Sequence, residues 1–225
     1  MTMDFLARWG EVQDFLIKGG PAIWAIAALS VLTLALILWK VWRLVLMGAW
    51  AGRRTEAAVR QWEGGDPTGA RNLIAKRRSL RAVVVRTAMD ARTNPEFDDS
   101  EVREEIQRVA KNQLARARTG LRALDLIATI APLLGLLGTV LGMISAFQTL
   151  QEAGSRADPA ALAGGIWEAL LTTAAGMAVA IPAGVALAWF ESVADRAQAD
   201  MEDAITRVLI RKPKPVPAAM PAAAE

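Results

Sequence analysis

Ala169-Leu-Leu-Thr-Thr-Ala-Ala-Gly-Met-Ala-Val-Ala-Ile-Pro-Ala-Gly-Val-Ala-Leu-Ala-Trp-Phe190 is a run of 22 uncharged residues, closed by Glu168 on one side and Glu191 on the other. At ~1.5 Å per helical residue such a run crosses ~30 Å of hydrocarbon. In lipid only a helix satisfies the backbone polar groups of so long a segment. Two further runs of this kind precede it: residues 21–39, 19 uncharged residues between Lys18 and Lys40, and residues 126–151, 26 between Asp125 and Glu152. Trp24, Trp39, Trp42 and Trp189 stand near run ends, where interfacial aromatics are expected. Five charged residues precede the first run, and the nearest small-x-small site, Ala49-Trp50-Ala51, lies beyond Lys40 and Arg43. A retained span is therefore expected, not a cleaved leader.

The composition agrees with a membrane chain. Of 225 residues 53% are hydrophobic and 22% charged, and the two classes are segregated into blocks. The chain has no cysteine and no histidine, which removes disulfides, thiolate nucleophiles, common zinc sites and imidazole acid–base chemistry. A proton handled near neutral pH then falls to a carboxylate with a raised pKa. The sequence offers no nucleophile–base pair and no phosphate-binding Gly loop, so no enzymatic activity, cofactor or metal is expected.

Lys and Arg set the orientation. Residues 1–20 carry two, residues 40–125 carry 18, residues 151–168 one and residues 191–225 five. By the positive-inside rule, 40–125 and the C-terminus are cytoplasmic, while the N-terminus and the 152–168 connection are periplasmic. The basic residues do not imply a nucleic-acid partner, because Glu101, Glu104 and Glu105 are interspersed among them.

The expected fold is an all-α membrane protein, with three transmembrane helices and long helices extending into a cytoplasmic helical bundle. Residues 1–20 read as a periplasmic amphipathic segment, with Phe5, Leu6, Trp9, Val12, Phe15 and Leu16 as its apolar residues. A plain extension of the first span fits them equally. Helix 1 takes residues 21–39, the cytoplasmic helical domain 40–125 and helix 2 residues 126–151. Residues 152–168 form the periplasmic connection and the start of helix 3, which spans 169–190. A cytoplasmic helix over 191–211 and a disordered tail over 212–225 complete the chain. Within 40–125, Gly64-Gly65-Asp66-Pro67 and Thr93-Asn94-Pro95 are breaks. Asp98 with Glu101 fits a capped helix start, and the pattern beyond it predicts one helix from 99 to 151, roughly 80 Å long. Asp158-Pro159 fits another start, for a helix running to about Arg211.

Span one is Leu-rich, with only Ser30 and Thr33 polar, and is expected to face lipid. Span two carries Ala128, Pro132, Gly135, Thr139, Gly142 and Ala146 at steps of three and four, a narrow face of small residues. Span three carries Thr172, Thr173, Gly176, Ala180 and Gly184. Such faces let membrane helices approach closely; close packing alone is the alternative to a pathway. Glu168 is the only charge in residues 159–190, a stretch longer than a membrane crossing. An intramembrane carboxylate is a functional candidate; a carboxylate capping the span at the headgroups is the alternative. Thr172 lies one turn from it, Thr173 beside that face, and Thr139 on span two supplies a further hydroxyl.

Two segments carry a family resemblance: Ala131-Pro-Leu-Leu-Gly-Leu-Leu-Gly-Thr-Val-Leu-Gly-Met143 and Gly165-Ile-Trp-Glu-Ala-Leu-Leu-Thr-Thr-Ala-Ala-Gly-Met-Ala-Val-Ala-Ile-Pro182. The sequence resembles the ExbB/TolQ/MotA proton-channel family, ExbB most closely. The resemblance implies that Glu168 lines a proton channel, with Thr139 and Thr173 as polar companions. It also implies that Pro132, Gly135, Gly138, Gly142, Gly176 and Pro182 pack helices or line the pore. Thr172 stands where the family pattern has alanine. Three spans, not four, set the chain apart from a flagellar stator of MotA type. The resemblance further implies a homopentamer in the inner membrane, an ExbD-like single-span partner and a TonB-like periplasm-spanning protein. Protons are the transported ion, and proton motive force drives outer-membrane transport. A TolQ-type envelope role, or a structural scaffold without conduction, remains open from the residues.

Overall fold

A computed structural model describes residues 20–154 and 158–211. The amphipathic segment expected at the N-terminus and the tail of 212–225 lie outside the described residues, as do positions 155–157 of the connection. Every regular element among the described residues is a helix: α1 Gly20–Leu46, α2 Arg53–Glu63, α3 Pro67–Ile74, α4 Leu80–Thr93, α5 Asp99–Arg118, α6 Leu121–Ala153 and α7 Pro159–Ile210. Of these, α1, α6 and α7 contain stretches long and apolar enough to cross a membrane. The contacts divide the chain into two units. One takes in the described residues up to Val41 and Gly120–Phe190; the other takes in Trp42–Thr119 and the described residues from Glu191 on.

The first unit is built on small residues. Where α6 meets α7 there is no room for side chains at the glycines: a Cβ on Gly176 would stand 2.5 Å from the Ala131 carbonyl oxygen, and one on Gly142 2.9 Å from the Ala169 Cβ. The succession of contacts, 131 with 176, 135 with 172 and 173, 142 with 169 and 146 with 165, is that of two antiparallel helices in close register. Pro132 and Pro182 lie inside α6 and α7. Each removes one backbone donor, which membrane helices tolerate when neighbours re-satisfy the freed carbonyl.

The first span is not simply lipid-facing. Ile23, Ile26 and Thr33 are buried, while Val31, Leu34 and Leu38 on the same helix are exposed. Ile26, Leu29 and Leu36 pack with Ile127, Ala131, Val179, Ala180 and Ala183. Thr33 returns its hydroxyl to its own helix, donating to the Leu29 carbonyl at 2.7 Å, so a polar residue is buried at no cost in unpaired groups.

The second unit has a core of ordinary kind. Val59, Trp62, Ile74, Val84, Val85, Met89 and Ile106 are buried together with Met201, Ala204 and Val208 of α7. The Trp62 indole donates to the Val208 carbonyl at 3.3 Å. Asp66 caps α3 by accepting from the Gly69 N–H at 2.8 Å, with Pro67 at the first helical position. Asp98 and Glu101 form the expected reciprocal cap of α5. One expectation is corrected: the helix over 99–151 is two helices. Gly120 has φ +86° and stands as the N-cap of α6, so the chain turns out of the helical region there.

Candidate functional site

Glu168 lies on the first turns of α7, half-buried in an open groove of about 630 Å³ within the first unit. Three elements build it: the start of α1 (Gly20, Pro21, Ala22), the second half of α6 from Gly138 to Ala153, and α7 from Asp158 to Thr172. Among the described residues, the ionisable ones along it are Glu168 and Asp158, both acidic. Among the described residues nothing forms a hydrogen bond or ion pair with the Glu168 carboxylate.

Thr172 closes the groove. Its side chain is 3% exposed, and its hydroxyl lies 2.7 Å from the Ala169 carbonyl and 3.2 Å from that of Gly135. Thr173 donates to the same Gly135 carbonyl at 3.1 Å. Gly138 makes the fit possible, since a Cβ there would stand 2.6 Å from the Thr172 Oγ1 and 3.1 Å from the Ala22 Cβ. Beyond this point an apolar cluster of Ile26, Ile127, Ala131, Val179, Ala180 and Ala183 packs between the helices.

Of the residues singled out in the sequence, Glu168, Thr172, Gly138 and Gly142 meet in the groove. Thr173 and Gly135 join them through the shared carbonyl, and Gly176 packs on Ala131 and Gly135. Thr139 does not line this groove. Its hydroxyl returns to the Leu136 carbonyl at 2.6 Å, and it lines a separate surface hollow with Met143, Phe147, Gln148 and Gln151. Pro132 is half-buried on α6 and Pro182 exposed on α7.

Sequence reasoning passed over Ser145 and Thr149, and read Asp158 as a helix cap alone; all three also line the groove. The signal was present in part. Steps of three and four from Gly138 lead through Gly142 to Ser145 and Thr149, carrying the small face into a hydroxyl-bearing one.

Residues 76–203 match the MotA/TolQ/ExbB proton channel family. The chain belongs to that family. The match takes in Thr139, Glu168, Thr172, Thr173 and every glycine of the α6–α7 contact. Among individual relatives, the biopolymer transport protein exbB1 of Vibrio cholerae is 31% identical over 190 residues, covering 84% of this chain and 83% of its own. The ExbB-like 1 biopolymer transport protein of Synechocystis is 35% identical over 183 residues, covering 79% of this chain and 69% of its own. Biopolymer transport protein ExbB of Neisseria meningitidis serogroup A is 29% identical, covering 75% and 82%. The chain is thus a membrane protein of the MotA/TolQ/ExbB family, and the matched residues include the carboxylate, the two neighbouring hydroxyls and the close-packed glycines described above.

Proposed function

We propose that this chain is the proton-conducting subunit of an inner-membrane motor of ExbB type, which uses proton motive force to energise outer-membrane transport through a TonB-like protein. The observation that supports this most is Glu168: a carboxylate without a partner among the described residues, on an apolar helix, in a groove lined by no Lys or Arg among those residues. Such a group gains or loses a proton according to what approaches it. The excess of Lys and Arg in 40–125 favours a cytoplasmic second unit and a periplasmic N-terminus.

In this reading the pathway is completed between chains. The groove in one protomer stops at Thr172, and Thr139 opens on another surface of α6. A ring of copies, a pentamer by the family resemblance, brings such surfaces together around an ExbD-like single-span partner. Glu168 carries the proton, and Thr172 and Thr173 orient it. A TolQ-type role uses the same residues and differs in partner; the biopolymer transport names of the relatives favour the ExbB type.

The close α6–α7 packing also supports a scaffold without conduction. Proton flux into inner-membrane vesicles that hold the chain and its single-span partner separates the two. Conduction predicts flux that requires both chains and disappears in Glu168→Gln with the oligomer intact. Equal flux in wild type and Glu168→Gln removes Glu168 from the pathway. Disrupted assembly in Gly135→Leu with a silent Glu168→Gln supports the scaffold.

A further inference from the structure

Several arginines of the second unit meet carboxylates. Arg81 pairs with Asp200, Arg92 with Asp99, Arg118 with Asp195, and Arg207 with Glu56, Glu63 and Asp203. Among the described residues, other exposed cations have no such partner, Arg103, Lys111 and Arg116 spaced along α5 and five more in two short segments. Arg53, Arg54, Lys76, Arg77 and Arg78 are all exposed, and among the described residues none of their side chains has a hydrogen-bond or ion-pair partner. Acids are sparse around them: residues 41–55 and 67–89 contain no Asp or Glu, and the adjacent Glu56 is engaged by Arg207.

The fold gathers three of them, and Arg53 and Arg78 adjoin these in sequence. Arg54, Lys76 and Arg77 line one hollow of about 500 Å³, with Asn72 and the exposed Leu73. The turn that follows α1 holds the 75–79 loop in place. The Leu80 N–H donates to the Met47 carbonyl at 3.2 Å, and Gly48, at φ +60°, sits so close that a Cβ would stand 2.9 Å from the Ser79 Cβ. That turn continues an apolar helix end. Trp42, Val45, Leu46 and Trp50 are 68%, 58%, 70% and 52% exposed. A tryptophan-bearing apolar surface beside unpaired cations suits the boundary between acyl chains and anionic headgroups.

We infer that the Arg54–Lys76–Arg77 hollow, with Arg53 and Arg78 next to it in the chain, is a docking surface for anionic phospholipid headgroups where the first span leaves the bilayer. Charge complementarity commits the site to an anion. The exposed Trp42–Trp50 surface, continuous with the span, commits it to one carried by a lipid. The inference rests on α1 being a membrane span and is independent of proton conduction.

The full chain, purified in detergent and titrated with equal phosphatidylglycerol and phosphatidylcholine, is read by native mass spectrometry for retained lipid. Wild type is expected to prefer phosphatidylglycerol. Replacing three cations together (Arg54→Gln, Lys76→Gln, Arg77→Gln) is expected to lower that preference about tenfold or more, at ~1 kcal/mol per cation near an anionic surface. Arg54→Lys with Arg77→Lys keeps it, as does the control Arg103→Gln with Lys111→Gln, and helix content by circular dichroism verifies folding. An unchanged preference in the triple variant, or an equal loss in the control, overturns the inference. So does displacement of the lipid by millimolar inorganic phosphate, which marks a free-anion site, or by a polyglutamate peptide, which marks a protein partner.

Discussion

The Thr172 hydroxyl and the Gly135 backbone carbonyl stand 3.2 Å apart across the α6–α7 contact, and Thr173 reaches the same oxygen at 3.1 Å. Thr172 shares its proton with the nearer Ala169 carbonyl at 2.7 Å, and the Gly135 carbonyl faces two hydroxyls one residue apart on the opposite helix. Its accessibility depends on glycine, because a Cβ on residue 135 would stand 2.9 Å from the Thr172 carbonyl oxygen and from the Thr173 Cα.

Shared acceptance predicts coupling. Thr173→Val removes an interhelical hydrogen bond, worth ~0.6 kcal/mol on average within membranes, and Thr172→Val removes a hydroxyl that divides its one proton between the Ala169 and Gly135 carbonyls. Residues of one network are not additive. The double variant is expected to lose less stability than the sum of the singles. Unfolding titrations of the four proteins in detergent check this, and strict additivity would show that the two hydroxyls act separately.

Close approach predicts a contrast among glycines. Gly135→Ala places a methyl against backbone that cannot rotate away, and overpacking of this kind costs ~1–3 kcal/mol. Gly184, also on α7, has nothing within 4 Å of its Cβ position, so Gly184→Ala is expected to leave the chain as stable as wild type, or slightly more so. Thermal unfolding of the two variants side by side reads the difference.

Much of this was legible in the sequence, for physical reasons that differ by residue. The uncharged runs forced helices, because lipid offers backbone groups no partner. Asp98 and Glu101 announced the α5 cap through their spacing, and Asp158-Pro159 announced the start of α7. Small residues at helical steps revealed the α6–α7 contact. Gly120 stayed hidden, since a lone glycine within a helical pattern is tolerated and only tertiary context places it at positive φ. The packed face of α1 stayed hidden too: Ile26 and Leu34 are both apolar, and composition cannot say which meets a helix and which meets lipid. Thr139 resisted for a related reason. Helical steps place it near Gly135 and Gly142, but which flank of that face opens to the groove depends on how α6 rolls against α7.

A pH dependence follows from Arg207, which bonds Glu63 at 2.8 Å and 2.9 Å and also meets Glu56 and Asp203. The Arg207 hydrogen bond holds the Glu63 carboxyl below the usual carboxylate range. A depressed folded pKa gives stability that is present above the unfolded value, ~4.3, and is lost as pH falls through the folded one. Arg207→Gln is therefore expected to destabilise the second unit by about 1 kcal/mol at pH 7. The gap between variant and wild type should narrow below about pH 4. Fluorescence of the buried Trp62, followed through thermal unfolding at several pH values, measures that gap. A gap that stays constant down to about pH 3 would assign the loss to packing of the Arg207 stem.

The break between α5 and α6 makes a final prediction. Gly120 carries two constraints at once: φ +86°, and a Cβ position 2.8 Å from the Trp39 ring on α1. A left-handed backbone costs an L-residue ~1–2 kcal/mol, and the ring adds a steric term that Trp39 can relieve only by moving. Gly120→Ala is expected to destabilise the first unit by at least ~1 kcal/mol. Removing the ring separates the two causes. In a Trp39→Leu background the steric term disappears while the backbone term remains, so Gly120→Ala should cost less there, though still more than nothing. Equal costs in both backgrounds would leave the positive φ as the whole reason for glycine. No cost in the Trp39→Leu background would make the ring the whole reason. An intermediate cost, read from detergent unfolding of the four chains, is the outcome the geometry requires, because φ and the ring position are independent features of this turn.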